Sequence, residues 1–96
     1  MSEYGYLDKD YFGDLQYLGY YISDARTKKE YSQRQVALYA EISNTELSKL
    51  EKGLRQKPSP KILKKLSEIL EIEYEDLLFY AGYLDVRFRF FWNRWI

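Results

Sequence analysis

Apolar residues recur at helical spacing through most of this 96-residue chain. Leu15, Leu18, Ile22 and Ala25 fall on one face, which predicts a first helix over residues 14–29. Ser32-Gln33-Arg34-Gln35 has the Ser-x-x-Gln form of a capping box, and Val36, Ala37 and Ala40 then face inward from a second helix over 32–40. Ser43-Asn44-Thr45-Glu46 repeats the form and opens a third helix over 44–52, with Leu47 and Leu50 inward and Gly53 as its stop. After the loop LRQKPSP, Ser59 caps a fourth helix with Pro60 at its first position, where a missing N–H costs nothing. Ile62, Leu63, Leu66, Ile69 and Leu70 give that helix the widest apolar stripe in the chain. A short fifth helix over 74–80 buries Leu77 and Leu78. Nothing between Leu15 and Leu78 alternates as a strand does, so the pattern predicts a compact all-α domain of five helices.

Two short helices started eleven residues apart, with neither glycine nor proline between them, cannot fold back antiparallel. They must cross at a wide angle, as the two helices of a helix-turn-helix do when the second enters the major groove of DNA. Plain helical hairpins share the spacing, so periodicity alone leaves DNA binding open.

Composition narrows the chemistry. Cysteine and histidine are absent, which removes disulfides, thiol catalysis and the usual zinc, haem and iron–sulfur ligands. No cofactor is expected. The acidic clusters Asp8, Asp10, Asp14 and Glu71, Glu73, Glu75, Asp76 come with no nucleophile, metal-ligand pattern or glycine-rich phosphate loop, so an enzyme is the weakest reading. No apolar run approaches the ~20 residues of a membrane span and the first residues are acidic, so a cytoplasmic protein without a membrane partner is expected. The net charge is zero, yet the charges are segregated. Residues 26–65 hold eleven Lys/Arg against four acids, while residues 1–25 and 66–96 are both acidic overall. Such a basic block is the footprint that phosphate binding requires, and a solvated charged surface is its plain alternative.

With these elements laid out, the chain resembles the Cro/C1-type (XRE) helix-turn-helix regulators. The matching residues are Ile22 and Arg26; Ser32-Gln33 and Val36-Ala37; Ile42-Ser43; Leu47-Ser48-Lys49-Leu50-Glu51-Lys52-Gly53; Pro58-Ser59-Pro60; Leu63 and Leu66; Leu70-Glu71-Ile72; and Asp76-Leu77-Leu78. The similarity covers roughly residues 15–82, and the resemblance implies a lambda-repressor-like fold over 14–82. One departure stands at the tight turn, where the family usually has glycine and this chain has Glu41. A left-handed backbone there strains any residue with a Cβ.

The resemblance implies double-stranded DNA as partner, with Asn44, Thr45, Ser48 and Lys49 facing base edges and Ser43 at the rim. The side chains suit this: asparagine pairs with N6 and N7 of adenine, and lysine donates to guanine O6 or N7. Gln33 resembles the family's backbone-clamping glutamine at a helix N-terminus. Lys52, Arg55 and Lys57 would add phosphate contacts, which hold register without reading sequence. In the family, the arginine at the position of Arg26 pairs with the glutamate at that of Glu51, a structural ion pair. For the outward polar residues, the plain alternative is an ordinary solvated helix face.

Both ends fall outside the resemblance. Residues 1–13 are rich in tyrosine and acidic, which suits a flap on the first helix better than an arm along DNA. Residues 83–96 carry Phe88, Phe90, Trp92 and Trp95, with Val86, Phe88 and Phe90 alternating with Arg87 and Arg89. Aromatic surface of that size marks an interface. A homodimer contact leads, ahead of packing on the chain's own domain and of a different protein or membrane surface, because a two-fold dimer matches a palindromic site. The sequence reading is therefore a small repressor acting as a dimer on a palindromic operator. Its alternative is an antitoxin-type protein that binds DNA and masks a partner with the aromatic tail.

Overall fold

The structure is a computed structural model that describes residues 13–83. Five helices follow in order: α1 Leu15–Lys28, α2 Gln33–Ala40, α3 Asn44–Glu51, α4 Pro60–Leu70 and α5 Tyr74–Tyr80. The described residues contain no strand.

Four of the five starts have a side-chain cap, and α5, opened by Glu73, has none. Asp14 accepts from the Tyr17 N–H at 3.0 Å and opens α1. The full capping box forms at α2: Ser32 Oγ accepts from the Gln35 N–H at 3.0 Å while Gln35 Oε1 accepts from the Ser32 N–H at 2.8 Å. At α3 only half of the expected box is made. Ser43 Oγ accepts from the Glu46 N–H at 3.0 Å, but the Glu46 carboxylate is bound by Arg55 instead. Ser59 caps α4 through the Ile62 N–H, with Pro60 at the first position as its sequence predicts.

A single core holds the helices together, built from Leu18 and Ile22 of α1, Val36, Ala37 and Ala40 of α2, and Leu47 and Leu50 of α3. Leu63, Leu66 and Leu70 of α4, with Leu77 and Ala81, complete it. Leu15, Ala25, Ile62, Ile69 and Leu78, also expected inside, pack around this centre only partly buried. A five-helix domain of this size has room at its middle for about one stripe per helix. The second helix packs on α3 and α4, α1 packs on α3, and α5 closes against α4 and α1.

The turn between α2 and α3 is left-handed at Glu41, with φ 61° and ψ 40°. Ala37 O accepts from the Ile42 N–H at 3.0 Å, which fastens the turn to the preceding helix. The Glu41 side chain reaches Lys65 of α4. Glu71 ends α4 in the same conformation, at φ 56°, and pairs with Lys29 at 2.7 Å. Glutamate also stands left-handed at Glu30, φ 60°, after α1, so it occupies three sites where glycine is the relaxed choice, and at Glu41 and Glu71 the carboxylate meets a lysine of another element.

Candidate nucleic-acid interface

The polar face of α3 stands clear of the core because Leu47 and Leu50 are its only buried side chains. Ser43, Asn44, Thr45, Lys49 and Lys52 are exposed and Ser48 is half-buried. At 1.5 Å per residue they cover roughly 14 Å of helix, the length that lies across a major groove. Asn44, Thr45 and Lys49 thus present their polar groups to solvent, with Ser48 partly covered between them.

What fixes α3 on the scaffold is a carboxylate at its far end. Arg26 of α1 grips Glu51 with two of its three nitrogens: Nε donates to Oε2 at 2.7 Å and Nη2 to Oε1 at 3.0 Å. The remaining nitrogen of Arg26 donates to Tyr31 O at 2.9 Å. Gln33 Nε2, at the first position of α2, donates to the same Glu51 Oε1 at 3.0 Å. One carboxylate therefore ties α1, α2 and α3 together. The side chains are 17% and 6% exposed for Arg26 and Glu51, and the hydrogen bonding to Glu51 holds Arg26 above its ordinary pKa. The half-buried Gln33 is thereby oriented at the N-terminal edge of α2, against the end of α3.

Gly19 was not singled out by sequence pattern, yet it sets how near α1 comes to α3. A Cβ placed on it would lie 2.4 Å from Glu51 O and 2.6 Å from Leu50 O. Its signal in the sequence is faint: an isolated glycine inside a helical pattern, which marks close backbone approach. Past α3, Gly53 turns the chain at φ 75° against Gln16 of α1. The loop that follows is tied down by Leu54 N–H to Lys49 O at 2.9 Å and by Tyr83 Oη to Pro58 O at 2.9 Å, with Pro58 buried. Lys57 is exposed there, at φ 42°. Arg55 is half-buried, donating from Nε to Glu46 and from Nη1 to Gln56 O at 2.7 Å. From sequence Arg55 reads as a phosphate contact and Glu46 as a cap; no local spacing links the two residues, and only the folded loop brings them together.

Phe88, Phe90, Trp92 and Trp95 lie outside the described residues, as do residues 1–12 of the N-terminal extension. Among the described residues no group of His, Cys, Asp or Glu could hold a metal ion. None of their helices is long and apolar enough to cross a membrane.

Comparison with known proteins adds three findings. Residues 22–77 match a family model described as helix-turn-helix. The chain is 34% identical over 71 residues to the HTH-type transcriptional repressor RghR of Bacillus subtilis (strain 168), a stretch covering 74% of this chain and 53% of that one. It thus spans about half the length of that relative. Among solved structures, it is similar to SinR. The N-terminal DNA-binding domain of SinR from Bacillus subtilis superposes with a TM-score of 0.61 at 32% identity, over 66% of this chain and 91% of that one. SinR in complex with DNA gives 0.59 at 33% identity, over 64% and 97%. The complex of SinR with the SinI protein gives 0.60 at 28% identity, over 79% and 75%.

Proposed function

The chain belongs to the Cro/C1-type (XRE) helix-turn-helix family of transcriptional regulators, and on that premise we propose that it represses transcription by occupying operator DNA as a dimer. Its fold and relatives are those of DNA-binding regulators and not of enzymes. The observation that carries the reading is the combination on α3: an outward polar face on a helix whose position is fixed by Arg26, Gln33 and Glu51. Preorganisation of this kind matters because a bidentate base contact is lost when its side chain is about an ångström out of register.

In this proposal Asn44, Thr45, Ser48 and Lys49 read base edges and Ser43 flanks them. Lys52, Lys57 and the α2 N-terminus at Gln33 meet phosphates, and Arg55 borders the same face. A two-fold dimer sets two copies of α3 one DNA turn, ~34 Å, apart, which fits a palindromic site. The solved complex of SinR with DNA supports the choice of ligand. The aromatic residues Phe88, Phe90, Trp92 and Trp95 are proposed to supply the dimer contact.

The test is an anisotropy titration against the DNA upstream of the protein's own coding sequence, comparing wild type with Asn44→Ala/Lys49→Ala. Tight binding to one palindromic segment, lost in the folded double variant, supports the proposal. Binding no tighter than to random duplex, or unchanged in the double variant, refutes it for that DNA. A second reading, an antitoxin-type protein that masks a partner, draws support from the relative SinR, solved with SinI over a match covering 79% of this chain. Co-purification of a stoichiometric partner that is lost on deleting residues 84–96 would favour it.

A further inference from the structure

We infer that Arg55 is a positioning residue of the reading helix, acting through Glu46 and not by meeting a phosphate itself. The inference rests on the reading that α3 faces DNA.

Glu46 lies in the first turn of α3, between Thr45 and Ser48. An acid at that place sits among the groups proposed to approach a polyanion, where an unpaired carboxylate repels the ligand. The spacing Ser-x-x-Glu would dispose of this charge by folding it back on the Ser43 N–H. The structure disposes of it otherwise: Ser43 takes the Glu46 backbone N–H, and the carboxylate turns to the guanidinium of Arg55.

Arg55 is held from both sides. Its Nη1 donates to Gln56 O, which stiffens its own loop, and its side chain is 37% exposed against 26% for Glu46. The loop has little freedom to redirect it, since Leu54 N–H is bonded to Lys49 O on one side and Pro58 is buried on the other. If the guanidinium swung to a phosphate, it would gain one anion and leave another uncovered beside the DNA. Staying on Glu46 does two things at once. It cancels the one acid in the first turn of the reading helix, and it makes that turn and the loop bearing Lys57 move as a unit.

A double-mutant cycle separates this role from a direct phosphate contact. The probe is the duplex that the full-length wild-type protein enriches from a randomised library, titrated across a salt series with Arg55→Ala, Glu46→Gln, the double variant and Arg55→Lys. Glutamine at 46 keeps the backbone N–H that Ser43 caps, so the helix start survives. The expected result is that Arg55→Ala weakens binding about tenfold alone but less than about threefold in the Glu46→Gln background, where no carboxylate is left to uncover. Arg55→Lys, which keeps a cation beside Glu46, should recover part of the loss.

An equal loss in both backgrounds, with the slope shallower by about one, would mean a direct phosphate contact and overturn the inference. So would an Arg55→Ala variant that binds like wild type. Asn44→Ala/Lys49→Ala on the same duplex is the control for the premise. If that variant binds normally, the reading of α3 fails; if it is impaired and the cycle is additive, only the role of Arg55 falls.

Discussion

Replacing Gly19 by alanine tests whether the close approach of α1 and α3 is a real constraint on the position of α3. In an isolated helix the change is favourable by about 1 kcal/mol, because glycine is the poorer helix former. Here the new methyl would lie 2.4 and 2.6 Å from two backbone oxygens, Glu51 O and Leu50 O, where ordinary contact begins near 3.4 Å. Neither atom belongs to a flexible side chain, so α3 must back away by roughly an ångström, and overpacking of this kind costs about 1–3 kcal/mol. The retreat also stretches the bonds of Glu51 to Arg26 and Gln33, whose loss in full would cost about 3–5 kcal/mol. Weighing a gain near 1 against overpacking plus part of that network gives a net loss of about 2 kcal/mol, or roughly 10 °C in Tm for a domain of this size. Thermal unfolding followed by circular dichroism checks this, with Tyr20→Ala at the exposed neighbouring position as the control for surface change on α1. A Gly19→Ala protein that melts at or above the wild-type temperature would refute the reasoning, since the helix-propensity gain would then be the only effect present.

Further expectations follow from the same contacts. Glu51→Ala leaves the mostly buried Arg26 without its carboxylate and Gln33 without an acceptor, so it should lose about 3–5 kcal/mol in urea denaturation; a loss below about 1 kcal/mol would mean the pair is dispensable. Hydrogen bonding to Lys65 and Lys29 lowers the carboxyl pKa of Glu41 and Glu71 from the ordinary 4.5. Their contribution is therefore complete above about pH 4.5 and lost as pH falls through the lowered values, so Tm should drop on acidification more in wild type than in Glu41→Gln/Glu71→Gln. Lys29, raised above 10.5 by its hydrogen bond to Glu71, gives the opposite limb, its share disappearing as pH rises through the raised value. A dimer making about eight phosphate contacts should show a log–log salt slope near −7 on its operator, and a slope near zero would sink the proposed DNA role.

Much of this architecture is legible locally. Capping at Ser32, Ser43 and Ser59 depends on side chains three residues from the N–H they accept, so short-range spacing is enough to place those helix starts. The apolar stripes give the five helices and their inner faces, because burial of one face is what a short helix needs in order to persist. The pairing of Arg26 with Glu51 joins residues 25 apart in sequence, and only family resemblance suggested it in advance. Its geometry, and the third strut from Gln33, depend on how α1, α2 and α3 converge.

The sequence by itself determined the helices, the direction of their apolar faces and the polar character of α3. These follow from periodicity and capping, which act over one turn or two. Tertiary structure decided which polar groups remain outward and which are consumed. Glu46 has the spacing of a capping residue and Arg55 the look of a free loop cation, yet the loop after Gly53 returns along α3 and joins them. Gly19 looks like a weak point in α1 until Glu51 O arrives against it. In both cases the decisive partner lies a turn or more of folded chain away, and only packing sets that distance.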